Sequence, residues 1–443
     1  MAKKLIMQLL PRLWGTGRFS SVDDLSLEYF RSLGMDFIWY TGIPRHAYGD
    51  SFVKGNAGSP YAISDYYDTN EYLADDKKER MSELKQLIAR THTHSMKVVI
   101  DFVPNHVAPC YADSHGGIRT FDHCDYDWTD TRKIDYGPSG SGTWLRLRDI
   151  LLFWAGLGVD GFRCDMVEMV PPEFFAWVIR EVKERYPETL FIAEVYTLGS
   201  YRKYCDEVGF DLLYDKSGLY DSLRSVICGE GSAEAITFNW QRLGSLQSRM
   251  LNFLENHDEQ RLASRHFAGS ASKGYAALAV SALFNDASFL LYSGQEVGES
   301  AEGTPSGRTS IFDFVKVPGI EALYGYIHGE NSLSGEQISV LSSYRKILEA
   351  ASSPLFREGK VFDLCYAQPE GSGFDRRKHF AFMRSLEGQA VLVAVNFSDE
   401  KSLIDVKVPE EAFTYLGIPE PSSDNIFRIT VSANDAEFIY LQE

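Results

Sequence analysis

The sequence predicts an α/β fold: a (β/α)8 barrel of the TIM type, with a shortened insertion after strand three and a C-terminal antiparallel β-sandwich domain. Three observations carry this. Strand-like and helix-like patterns alternate steadily over residues 1–350, which calls for a parallel sheet, and the eight strand segments suggest closure into a barrel. Beyond Ser353-Pro354 the texture changes to alternating strand patterns joined by turn residues, with no long helix. Finally, 443 residues leave room for a barrel and a smaller domain, with 44% hydrophobic and 24% charged residues in ordinary globular proportion. The expected domains are a barrel over 1–350, containing a reduced insertion at 104–136, and an all-β domain over 351–443.

The first strand spans Lys4 to Leu10. A helix from Val22 to Leu33 presents Leu25, Leu27, Phe30 and Leu33, and Gly34 stops it. Met35 to Tyr40 is the second strand. The stretch from Thr41 to Asp76 is rich in Gly, Ser, Tyr and Asp, which is loop chemistry, and its length marks it as functional. A helix over Met81 to His94 leads to the third strand, Lys97 to Val103, followed by Pro104-Asn105-His106. Periodicity is lost from Val107 to Tyr136 and returns in an apolar helix, Trp144 to Leu157. Pro171-Pro172 opens the next helix, with Phe174, Val178 and Val182 on one face and Phe175 and Ile179 beside them. The remaining barrel strands are Leu190 to Glu194, Gly209 to Tyr214, Met250 to Leu254 and Ser288 to Tyr292. Ile338, Leu341, Tyr344 and Leu348 give the final helix its apolar face.

A net charge of −18 repels nucleic acid and anionic membranes, so the expected partner is neutral. Aromatic residues reach 13%, a supply that fills cores and also suits stacking on sugar rings. The six cysteines have no CxxC or metal-ligand spacing and suit a reducing compartment. The basic start followed by LIMQLL is too short for a signal peptide and lacks a small-residue cleavage site, and no apolar stretch approaches a membrane span. The expectation is therefore a cytoplasmic protein.

Chemistry concentrates at the fourth strand, GVDGFRCD, residues 158–165. Side chains alternate along a strand, so Arg163 and Asp165 share one face while Phe162 and Cys164 share the other. A charged pair at the end of a buried strand is costly unless it is paired or faces a solvated cleft. Two further strand ends carry carboxylates, at Ala193-Glu194 and Asn256-His257-Asp258, and His106 follows the third strand. In a parallel barrel all these ends open on one face, where active sites are built.

DFVPNH (101–106), GFRCD (161–165), the AE of FIAEVY (193–194) and ENHD (255–258) together resemble the four short motifs of the α-amylase family of glycoside hydrolases, in the family's order. MQLLPRLWG, SLGMDFIWY, PYAISDYY, DWTDTRKIDY and LLYSGQEVG extend the resemblance over most of residues 1–350. It implies that Asp165 is the nucleophile, Glu194 the general acid/base and Asp258 a third carboxylate supporting the transition state. It also implies that Tyr61, His106, Arg163 and His257 bind the sugar at the cleavage point. Arg163 beside Asp165 favours an ionised nucleophile, and neighbouring anions are expected to favour a protonated Glu194. Asp65 is expected to be structural, Cys164 to face the barrel wall and Glu296 to organise the last barrel loop, while Arg261 either lines the sugar groove or caps a helix.

The implied reaction is retaining cleavage of α-glucosidic bonds, chiefly α-1,4 links in malto-oligosaccharides or starch. Transglycosylation or isomerisation by the same chemistry is the alternative. A non-catalytic carbohydrate-binding relative is disfavoured because all three carboxylates are present. No cofactor is required. Asn105 matches a position that often ligates Ca2+ in the family, but only 21 residues separate His106 from Trp128, so the insertion that usually supplies the other ligands is reduced. Asp113, Asp122, Asp125 and Asp127 remain candidate ligands, and the metal site is left unassigned.

Overall fold

Of the residues in eight short strands, all but Lys97 are buried: Leu5–Leu9 (β1), Phe37–Tyr40 (β2), Lys97–Phe102 (β3), Gly161–Cys164 (β4), Leu190–Ala193 (β5), Leu212–Tyr214 (β6), Met250–Phe253 (β7) and Ser288–Tyr292 (β8). Burial on both faces is why these strands read as continuous apolar runs rather than alternating ones. The computed structural model describes residues 3–112, 115–124, 126–369, 371–420 and 425–441. The strands hydrogen-bond in the order β1-β8-β7-β6-β5-β4-β3-β2 and form the closed parallel barrel that the sequence predicts.

By compactness the chain divides into two units. One comprises Ile6–Tyr214 and Thr309–Ser332. Its first helix, Asp24–Ser32 (α1), begins two residues later than expected because Asp23 takes the N-cap position and accepts the Ser26 N–H at 3.0 Å. Leu25 is exposed rather than part of the apolar face. Helices Arg80–Thr93 (α2), Gly142–Gly156 (α3) and Pro172–Arg185 (α4) follow, and α4 buries the expected Phe174, Phe175, Val178, Ile179 and Val182. The long segment after β2 is ordered by a two-stranded ladder pairing Arg45–His46 with Ile63–Asp65. Asp68 clamps it, bound by Arg45 at 2.9 Å and Arg80 at 2.7 Å. Asp65 has the structural role expected of it, accepting the Tyr67 N–H at 2.8 Å. The insertion after β3 builds a three-stranded sheet in which Arg132–Asp135 lies between His106–Val107 and Arg119–Thr120.

The other unit comprises Met1–Leu5, Asp215–Arg308 and Leu333–Glu443. Its helix Gly335–Ser352 starts on a capping box between Ser334 and Gln337 and buries Val340, Leu341, Tyr344, Ile347, Leu348 and Ala351. Ile338, expected on that face, is exposed. The C-terminal strands Lys360–Asp363 (β9), His379–Leu386 (β10), Gln389–Asn396 (β11), Ser402–Lys407 (β12), Ile426–Val431 (β13) and Asp435–Leu441 (β14) form two antiparallel sheets, β9-β10-β11-β14 and β12-β13. Two of these strands are weak in the sequence: β9 has only four residues, and β12 buries only Ile404 and Val406. Fully buried Arg384 is held by Asp286 at 2.9 Å and by the Phe356 carbonyl at 2.8 Å. Among the described residues, no helix is long and apolar enough to cross a membrane.

The approach of β4 to β5 depends on Gly161. A Cβ there would lie 2.8 Å from the Leu190 carbonyl oxygen and 2.9 Å from the Leu190 Cβ, with no flexible side-chain end to yield. Gly161→Ala is expected to destabilise the protein by roughly 1–3 kcal/mol, the usual cost of overpacking. Thermal denaturation checks this, and an unchanged melting temperature would contradict it.

Candidate active site

The site is built on β3, β4 and β5. Strand register sets Asp101 of β3 beside Arg163 of β4, so their side chains emerge on the same face. Arg163 is fully buried, yet it sits among groups that suit a cation. Its Nη1 lies 2.7 Å from Asp165 Oδ1 and 3.8 Å from Asp101 Oδ1, its Nη2 lies 3.0 Å from Glu194 Oε1, and its Nε donates to the Tyr214 hydroxyl at 3.2 Å. The faces of Trp39, Tyr61 and Tyr214 stand 5.4–5.5 Å from its guanidinium carbon. A planar fork with several donors can serve two carboxylates at once, which a lysine could not do in the same geometry.

Asp101 is held from the other side. Tyr61 donates its hydroxyl proton to Oδ1 at 3.2 Å, and Trp39 Nε1 and the Gly42 N–H donate to Oδ2 at 3.2 and 3.4 Å. Burial pushes the Asp101 carboxyl up to about 6, against the opposing pull of Arg163.

Glu194 shares the Arg163 guanidinium with Asp165, and two hydrogen-bond donors face it besides: the Met166 N–H at 2.7 Å from Oε2 and the Tyr196 hydroxyl at 2.7 Å from Oε1. Met166 directs its N–H there from the left-handed region (φ 47°), unusual for a residue with a side chain. The loop carrying Tyr196 is pinned by Glu168, which accepts the N–H groups of Tyr196 and Thr197 at 2.9 and 3.3 Å. Cys164 is buried, and burial pushes its thiol well above the ordinary range, which leaves it inert.

The structure thus gathers Asp165, Glu194, Arg163 and Tyr61 of the predicted set. Buried His106 lies in the insertion sheet, 5.6 Å from Trp128 between ring centroids. His257 and Asp258 belong to the other unit, in the segment after β7, and pair with each other at 3.1 Å. Asn256 shapes that turn by accepting the N–H groups of Asp258 and Glu259 at 2.8 and 3.0 Å. Arg261 neither lines a groove nor caps a helix: it is fully buried, bound to Glu255 at 2.9 Å and 3.9 Å from the centre of the Tyr292 ring. Glu296 organises the turn after β8 by accepting the Gly294 N–H at 2.9 Å.

Sequence reasoning missed the roles of Asp101, Trp39, Tyr196 and Tyr214. Two of these carried a usable signal: Tyr196 stands two residues beyond Glu194, and Asp101 is a lone charge near the end of an apolar strand.

Asn105 Oδ1 is a buried acceptor that meets no hydrogen-bond donor among the described residues. Its amide nitrogen contacts His106 Nδ1 at 3.3 Å. Ca2+ takes about six to eight oxygen ligands, and among the described residues no three His, Cys, Asp or Glu side chains group to hold a metal. Asp122 and Asp127 are exposed, and Asp113 and Asp125 lie outside the described residues. The described residues therefore do not fit a calcium site.

Residues 15–139 match the family model for the α-amylase catalytic domain. Over that segment the chain is similar to the α-amylase family. The chain is 27% identical over 411 residues to the α-amylase MalA of Haloarcula japonica, covering 87% of this chain and 53% of that one. It is also 27% identical over 212 residues to an α-1,4-glucan:maltose-1-phosphate maltosyltransferase of Myxococcus xanthus, covering 42% of this chain and 31% of that protein. The chain spans about a third of the length of the first curated maltosyltransferases it matches. Among solved structures, an α-amylase from Lactobacillus plantarum superposes with a TM-score of 0.71 at 22% identity, covering 99% of this chain and 98% of that one, a likeness of fold.

Two buried acids of the second unit make stability depend on pH. Burial pushes Glu255 and Glu296 up to about 7 from an ordinary 4.5. Such a carboxyl keeps a proton that the unfolded chain has released, so its contribution to stability falls as pH rises through this window. Glu296→Gln removes that dependence. The melting temperature of the variant minus that of the wild type is expected to be more positive at about pH 8 than at about pH 5, and an equal difference at both would contradict the assignment.

Proposed function

We propose that this protein cleaves α-glucosidic bonds with retention of configuration, chiefly α-1,4 links of malto-oligosaccharides or starch. Asp165 is the nucleophile and Glu194 the general acid/base. The observation that carries this reading is the single buried guanidinium of Arg163 gripping both carboxylates through its two terminal nitrogens, 2.7 Å from Asp165 and 3.0 Å from Glu194. Retaining glycosidases hold their carboxyl pair roughly 5–5.5 Å apart, whereas inverting ones leave about 6.5–9.5 Å for an attacking water. Two carboxylates sharing one fork support the shorter class.

In the first step an Asp165 oxygen bonds to the anomeric carbon as the glycosidic C–O bond breaks, and Glu194 gives its proton to the departing oxygen. In the second, Glu194 takes a proton from water, whose oxygen bonds to the anomeric carbon and releases Asp165. Arg163 keeps Asp165 ionised and in place, as attack requires. Tyr196 suits both forms of the acid, because a hydroxyl donates to a carboxylate and accepts from a carboxylic acid. Asp258 is assigned the third carboxylate role, and His106, His257 and Tyr61 the binding of the sugar at the cleavage point, from their motif positions. The reading uses no metal or cofactor.

Transfer to an acceptor sugar or phosphate is a second reading, favoured by the maltosyltransferase names of relatives matching nearly half of the chain. It differs only in what replaces water in the second step, and product analysis separates the two. For hydrolysis, NMR of the anomeric protons during early turnover is expected to show the α anomer first. The β anomer appearing before mutarotation would exclude Asp165 as a nucleophile.

A further inference from the structure

The short insertion after β3 carries more aromatic surface than its size needs for packing. Phe121, His123, Tyr126 and Trp128 fall within eight residues. Phe121 and Tyr126 are 42% and 50% exposed, in a segment too small to bury them. Their arrangement is ordered. The His106 ring meets Trp128 edge-on at 5.6 Å, and Tyr126 lies against Trp128 at 4.8 Å with a 33° tilt. The Lys54 ammonium sits 4.9 Å from the Trp128 ring centre and is itself held by Asp130 at 3.3 Å. Trp128 is therefore fixed on several sides, while the ring it supports, that of Tyr126, stays half exposed.

Rings held this way lose little conformational freedom when a ligand stacks on them, and their hydroxyl and indole N–H edges suit a ligand with apolar faces and polar rims. A pyranose ring has that character. A strongly anionic ligand is disfavoured by the net charge of −18 and by the neighbouring Asp122 and Asp127.

We propose that Tyr126, supported by Trp128, is a stacking platform for glucose units of a malto-oligosaccharide beyond the one held at His106, so that the reduced insertion sets a preference for longer chains. The inference rests on the proposed function for its ligand class and extends the site along the insertion. It explains why a shortened insertion would retain four aromatic rings.

The test is calorimetric binding of maltose and maltoheptaose to the full chain carrying Glu194→Gln, which prevents turnover. Maltoheptaose is expected to bind more tightly. Adding Tyr126→Ala should shrink that advantage roughly threefold to tenfold, and adding Tyr126→Phe should preserve most of it, because the ring rather than the hydroxyl stacks. Tyr126 is exposed, so neither change empties a core. Equal weakening of both sugars by Tyr126→Ala, an unaltered advantage, or no advantage to begin with would each overturn the platform. Failure of the functional reading looks different: length-dependent binding with no cleavage of any α-glucan by the wild type.

Discussion

A cation buried without contact with water is among the most expensive groups a fold can contain, and Arg163 is such a cation. The surrounding architecture compensates it. Asp165 and Glu194 bind the guanidinium directly, Asp101 stands at 3.8 Å, and three aromatic faces turn their negative quadrupoles towards it. Removing one partner would weaken the compensation of a buried charge, so the interactions that orient Asp165 and Glu194 also contribute to the fold.

Asp101, the third carboxylate at this guanidinium, is held by three donors of its own, Tyr61, Trp39 and the Gly42 N–H, while burial pushes its carboxyl up to about 6. The backbone bears another part of the cost. Met166, next after Asp165, adopts φ 47°, a conformation that costs an L-residue roughly 1–2 kcal/mol, and in return its N–H reaches Glu194 at 2.7 Å. Local strain at the end of β4 thus orients a carboxylate at the end of β5, which couples the two proposed reactive groups through the chain as well as through Arg163.

Much of this was legible from residues alone. The eight barrel strands announce themselves as apolar runs, and the Arg163–Asp165 pair follows from strand alternation. What stayed hidden depends on register and on side-chain reach between elements distant in sequence. Asp101 lies inside the third strand, and only the β3–β4 register shows that it stands beside Arg163. The two hydrogen-bond donors that hold Glu194, a backbone N–H in an unusual conformation and a tyrosine two residues on, likewise depend on how the chain turns after β4 and β5. Leu25 and Ile338 show the converse: they stand at helical spacing with buried apolar neighbours and are themselves exposed. Periodicity locates a face but does not say how wide the covering layer is.

The central claim is that Arg163 holds Asp165 ready to form a bond to carbon while Glu194 handles the proton. Trapping the intermediate tests it most directly. Incubation with a fluorinated α-glucosyl fluoride, which slows breakdown of a glycosyl-enzyme more than its formation, followed by proteolysis and peptide mass mapping, should show one sugar added to Asp165. A label on any other residue, or no label on enzyme that turns over the natural bond, would contradict the account.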